Sequence, residues 1–139
     1  MKLSRTVGYA LQATLQLAEA DPTTPIPCSQ LASQGQMPER FLLQILRNLV
    51  THGILHSTRG VDGGYALERP ANEISLLDLI EAVDGPVFGH APLADGLPQE
   101  LVDQLSTALK EVSTVTRKQL SSIKLSSLLS PGRKVVEQK

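Results

Sequence analysis

Aromatic side chains are scarce. Phe, Tyr and Trp together make up 3% of the 139 residues, and tryptophan is absent. A core for this chain must therefore be aliphatic, built on Leu, Ile, Val and Ala. There is one cysteine, Cys28, which excludes an intrachain disulfide and any cysteine-based zinc or cluster site assembled within one chain. No apolar run approaches the roughly 20 residues of a membrane-spanning helix. The first 20 residues alternate polar and apolar, unlike a secretory h-region. No membrane partner is expected, and the expected location is cytoplasmic. No Ser/His/Asp set, paired carboxylates or metal-ligand spacing stands out, so neither an enzyme nor a cofactor or metal is expected. The length suits a single domain with an appended helical piece.

The net charge of −1 hides an asymmetry. Residues 1–70 carry a net +1, residues 71–116 a net −7 and residues 117–139 a net +5. Different surfaces are thus adapted to different partners. A locally basic face can bind nucleic acid even where the whole chain is slightly acidic.

Along the chain, Leu3, Val7, Ala10, Leu11, Thr14, Leu15 and Ala18 recur at spacings of three and four, predicting a helix that Asp21-Pro22 stops. A short helix is expected from about Pro27 to Gln34, with Cys28, Leu31 and Ala32 inward and Gly35 at its C′ position. Pro38 suits the first turn of a third helix, whose inner face is Phe41, Leu42, Ile45, Leu46, Leu49 and Val50, ending at Gly53. The period then changes. "ILHST" and "YALER" are strand-like, and "RGVDGG" joins them as a hairpin. Ser75 and Asp78 form a capping arrangement for a helix with Leu76, Leu79, Ile80 and Val83 on one face, closed by Gly85. Residues 86–97 read as a linker. A longer helix is expected over about 98–120, with Leu101, Leu105, Ala108, Leu109, Val112 and Thr116 on one side. "SSIKLSSLL" continues it or forms a final short helix, and 131–139 is a basic flexible tail.

Helix, short helix, amphipathic helix, hairpin is the layout of a winged helix-turn-helix. The outer face of the third helix carries Glu39, Arg40, Leu43, Gln44, Arg47 and Thr51. Arg40, Gln44 and Arg47 fall at i, i+4 and i+7 and point the same way. Arg and Gln can make bidentate contacts to guanine and adenine edges, and Leu43 could meet a thymine methyl. Lys2 and Arg5 open the first helix, where positive charge opposes the helix dipole; a phosphate would compensate them. Arg59 opens the hairpin loop, where a cation can reach a minor groove or the backbone. Its glycines serve turn geometry and close approach. A nucleotide-phosphate loop would precede a helix, whereas this one joins strands.

The stretches "MKLSRTVGYALQATLQLA", "FLLQILRNLVTHGIL", "RGVDGGYALERP" and "ISLLDLIEAVDG" resemble the bacterial winged-helix regulators of the IscR, NsrR and CymR types, the Rrf-two family. The resemblance covers residues 1–85 by motif and the later helices by layout. It implies a mainly α fold with a small β-hairpin: a DNA-binding domain at 1–85, a linker at 86–97 and dimerisation helices at 98–130. It implies a homodimer in which the long helix packs against its partner's equivalent. It also implies a recognition helix at about 38–51 in the major groove and a wing at 54–68 in the minor groove. The DNA contacts it implies are Glu39, Arg40, Phe41, Gln44, Arg47 and Arg59, with Lys2, Ser4 and Arg5 near the backbone. Cluster-binding members carry three cysteines after the "VDG" helix. Here "PVFGHAPLADGLPQE" has none, and one imidazole, His90, is a poor substitute for thiolates. No iron–sulfur cluster is expected.

Cys28 is expected to be a buried thiol rather than a redox switch. His52 and His56 are expected in surface or packing roles, and His90 in solvent. The function expected is a sequence-specific repressor that binds double-stranded DNA as a homodimer at a pseudo-palindromic operator. A small-molecule or protein effector is an open partner. The alternative from another class is a protein-interaction module that docks through the acidic middle segment.

Overall fold

The computed structural model describes residues 1–129. The expected tail at 131–139, and the last residue of the expected 98–130 segment, lie outside them. The elements are α1 (Arg5–Glu19), α2 (Cys28–Gly35), α3 (Glu39–Thr51), β1 (Leu55–Thr58), β2 (Gly64–Leu67), a 3-10 turn (Ala71–Glu73), α4 (Leu76–Asp84), α5 (Gln99–Ser122) and α6 (Leu125–Leu128).

Helix α1 starts where Ser4 caps it, its hydroxyl accepting the Val7 N–H at 3.1 Å. Leu3, expected on the buried stripe, precedes this cap and is exposed. The stripe itself is Val7, Ala10, Ala13, Thr14 and Leu17. Its alanines let α1 lie close to its neighbours, and buried Thr14 satisfies its hydroxyl on the Ala10 carbonyl at 2.5 Å.

Helix α2 ends differently from the expectation. Gly35 is its last helical residue, and Gln36 takes the left-handed conformation, φ 55° and ψ 51°. Long side chains come close over Gly35. A Cβ there would lie 2.7 Å from Met37 Cε and 2.8 Å from Gln12 Nε2. Gln12 Nε2 donates to the Gly35 carbonyl at 2.8 Å, so α1 closes the end of α2.

Helix α3 supplies the centre of the core. Leu42, Ile45, Leu46 and Leu49 are buried against Ala10, Ala13 and Leu17 of α1 and Leu31 and Ala32 of α2. Phe41, expected to share that inner face, is 53% exposed. It sits one residue off a stripe centred on positions 42, 45, 46 and 49, which turns its ring to the edge of the helix.

The hairpin pairs antiparallel from Leu55↔Leu67 to Thr58↔Gly64. It does not stand alone. Ile26 donates its N–H to the Tyr65 carbonyl at 2.9 Å and accepts the Tyr65 N–H at 2.8 Å. That third, one-residue strand makes Gly64 obligatory: its φ is +154°, and a Cβ would overlap the Ile26 backbone. The close approach expected of this loop is thus, at Gly64, an approach to the chain's own backbone.

Helix α4 opens with the expected reciprocal cap. Ser75 Oγ accepts the Asp78 N–H at 3.1 Å, and Asp78 Oδ2 accepts the Ser75 N–H at 3.0 Å. The far end of α5 is tied to the same place. Leu76 N–H donates to the Ile123 carbonyl, and Leu125 N–H to the Ile74 carbonyl, both at 2.9 Å. Leu125 of α6 then enters the core.

The apolar residues of α5 divide between two faces rather than sharing one side. Leu109 is half-buried, and Ser113 and Leu120 are buried toward the rest of the chain. Leu101, Leu105, Ala108, Val112 and Val115 are exposed. Those five repeat at alternating spacings of four and three.

Candidate nucleic-acid interface

Helix α3 presents Arg40, Phe41 and Gln44 outward, because its inner stripe is consumed by the core. With Thr6 of α1, and with Pro38, Ile45 and Asn48, they line an open groove of about 570 Å³. The first turn of α1 and the outer side of α3 therefore share one concave surface. Phe41 is braced there by an edge-to-face contact with Tyr9, ring centroids 6.2 Å apart and planes at 73°.

Lys2, Arg5, Arg40, Arg47 and Arg59 are all exposed. Among the described residues none of the five is in an ion pair, whereas Arg69 pairs with Asp78 and Arg117 with Glu81. Glu39 occupies the first turn of α3, where its charge favours the helix N-terminus. Arg59 stands apart on the hairpin loop, beside Val61, which is fully exposed at the loop's tip. Ser4 is engaged on both sides. Besides capping α1, its hydroxyl donates to Asp84 Oδ2 at 2.9 Å. Thr6 and Asn48 were not among the expected interface residues. Asn48 follows Gln44 by four positions on the same face, a spacing that could have revealed it; Thr6 reaches the groove through tertiary packing alone.

Cys28 is half-buried, and Sγ lies 3.6 Å from the Glu39 carbonyl, to which it donates. Burial pushes its thiol up from the ordinary value, and the Glu39 charge adds to that. Such a thiol is a poor nucleophile at neutral pH. His52 Nδ1 contacts the Asn48 carbonyl at 2.8 Å. His56 Nδ1 faces Glu68 at 3.6 Å. His90 is exposed, with its ring stacked on Phe88.

Residues 3–131 match the family model Rrf2, described as an iron-dependent transcriptional regulator. The chain belongs to the Rrf2 family of transcriptional regulators. A Mycobacterium tuberculosis chain named as an HTH-type transcriptional regulator is 37% identical over 123 residues, covering 88% of this chain and 75% of that one. The HTH-type transcriptional regulator CymR of Bacillus subtilis is 31% identical over 114 residues, covering 81% and 83%. The structure of B. subtilis CymR, the global cysteine regulator of that organism, superposes with a TM-score of 0.73 at 25% identity, covering 92% of this chain and 95% of that one. The Rrf2 chain described here thus has the winged-helix fold of a DNA-binding regulator.

The donors present do not fit the iron of the family's description. Among the described residues, no group of three or more His, Cys, Asp or Glu side chains could hold a metal ion. The segment 86–97 contains no cysteine, and His90 is its one imidazole. An iron–sulfur cluster is held chiefly by thiolates, and the single thiol is on α2, bonded to a backbone carbonyl. Among the described residues no helix is long and apolar enough to cross a membrane.

Proposed function

We propose that this Rrf2 protein is a repressor that binds a pseudo-palindromic operator as a homodimer, without an iron–sulfur cluster. Helix α3 enters the major groove with Arg40, Gln44 and Arg47 toward base edges. The hairpin loop brings Arg59 to the minor groove, and Lys2 and Arg5 meet backbone phosphates. The observation that carries this is the groove shared by α1 and α3, with Arg40 on its wall; Lys2, Arg5, Arg47 and Arg59 are exposed too, and none of the five has an acidic partner among the described residues. Phosphates are the natural counter-charges for such a surface. The second copy is supported by α5. Its bare stripe, Leu101, Leu105, Ala108, Val112 and Val115, has the alternating four-three spacing of a two-helix seam. Val112 is 60% and Val115 69% exposed.

The test is selection of duplexes by the purified protein from a random library, followed by binding measurements across salt. A two-fold-symmetric consensus is expected, with half-sites about one helical turn apart or a multiple of it. The logarithm of the binding constant should fall steeply and linearly with the logarithm of salt concentration. A promoter carrying that consensus should be silenced when the protein is expressed. Failure to enrich any duplex, together with capture of a protein through the acidic segment 71–116, would favour a protein-docking role.

A further inference from the structure

Helix α5 is held at two places, and they do different jobs. Its C-terminal end is stitched to the start of α4 by the Ile123 and Ile74 backbone hydrogen bonds. One such attachment leaves a rod free to pivot. The second attachment lies further back along the helix and is made by the segment that follows α4. Glu81 Oε2 accepts the Val87 N–H at 2.8 Å and the Arg117 guanidinium. Arg117 also points its NH1 at the Val87 carbonyl, 3.5 Å away. Two residues on, the Gly89 N–H donates to Ser113 Oγ, which in turn donates to the Leu109 carbonyl at 2.9 Å. Val87 packs against Val7 of α1, Ile80 of α4 and Leu120 of α5. Ser113 is ten residues from Ile123, about 15 Å along the helix. Two attachments that far apart fix the direction of α5, not merely its position.

The geometry points to Arg117 and Glu81 as positioning residues that set the separation of the two recognition helices on DNA. This rests on the reading of the protein as a dimeric DNA-binding regulator. If α5 carries the seam between copies, each winged-helix unit is aimed by the angle at which it meets α5. Glu81 lies on α4, whose last residue, Asp84, accepts from the Ser4 hydroxyl at the start of α1. The clasp therefore connects the seam helix to the element that shares the groove with α3. Neither Arg117 nor Glu81 belongs to that groove.

The experiment compares the parent protein with R117A, E81A and E81Q on three kinds of duplex: the selected full site, versions with half-sites moved one base pair either way, and a single half-site. E81A and R117A are expected to bind the half-site within about twofold of the parent and to sediment as dimers. Their full-site affinity should fall about tenfold or more, because avidity is lost when geometry forbids simultaneous engagement. Their preference among spacings should flatten. E81Q keeps an acceptor for Val87 but drops the charge, and should fall between. An unchanged spacing profile and full-site affinity in R117A and E81A would overturn the inference. So would equal losses on half-site and full site, which would mark the clasp as general support for the fold. A parent protein that selects no duplex, or sediments as a monomer, overturns the dimeric-regulator reading and this inference with it.

Discussion

Gln44 and Arg59 are both exposed and both unpaired among the described residues, yet they are set in different surroundings. Gln44 is on a helix whose opposite face is locked in the core, so its direction is fixed. Gln44→Ala should cost about 1–3 kcal/mol at one cognate base pair and little on random duplex. Arg59 is on a loop, and Arg59→Ala should weaken binding on all duplexes and lower the salt slope by about one. Mobility-shift titrations on cognate and scrambled duplexes across salt separate the two. Cys28 allows a sharper test of burial. With its thiol pushed up by burial and by Glu39, alkylation of the native protein by iodoacetamide should be slow at neutral pH. It should accelerate only above the ordinary thiol value of about 8.5. The sign follows from the raised value: the neutral thiol is favoured in the fold up to that range, and the fold loses this preference as pH rises through it. Fast labelling at pH 7 would show that the thiol is open.

Elements were legible in the sequence where one strong local signal controlled them. The i, i+1, i+4, i+5 pattern of α3 identified the helix that centres the core. Ser75 with Asp78 identified the start of α4, and both reciprocal hydrogen bonds are present. Ser75→Ala should therefore cost about 1 kcal/mol of stability, measured by denaturant unfolding. What could not be read depends on contacts distant in the chain. Gly35 has the look of a helix-ending residue, but it is still helical, and the side chains of Gln12 and Met37 lie over it. Ile26 pairing with Tyr65 has no local pattern, since one residue makes no strand periodicity. Phe41 fits the inner face by spacing alone, but the fold leaves it 53% exposed at the edge of the helix, against Tyr9. The outward set Arg40, Gln44 and Arg47 was visible in sequence because a helix with one face buried defines the other. The groove they share with Thr6 was not, because it needs α1 beside α3.

At the scale of the whole molecule, positive and negative charge are separated along the chain. The five exposed cations assigned to DNA contact lie in residues 2–59, while residues 71–116 hold eight acids against one lysine. The acidic stretch covers α4 and most of α5, and its charge disfavours a duplex on that part of the surface. The bare stripe of α5 lies in that acidic stretch. Val112→Asp should abolish self-association, read by sedimentation, and leave the secondary structure intact because Val112 is already 60% exposed. Full-site affinity should fall with it and half-site affinity should not.

That stripe also bears on dosage. Single chains that must meet before they can grip a promoter do so in proportion to the square of their number when scarce. A promoter governed in this way would respond more steeply than linearly to the synthesis rate of its own regulator, with no effector required.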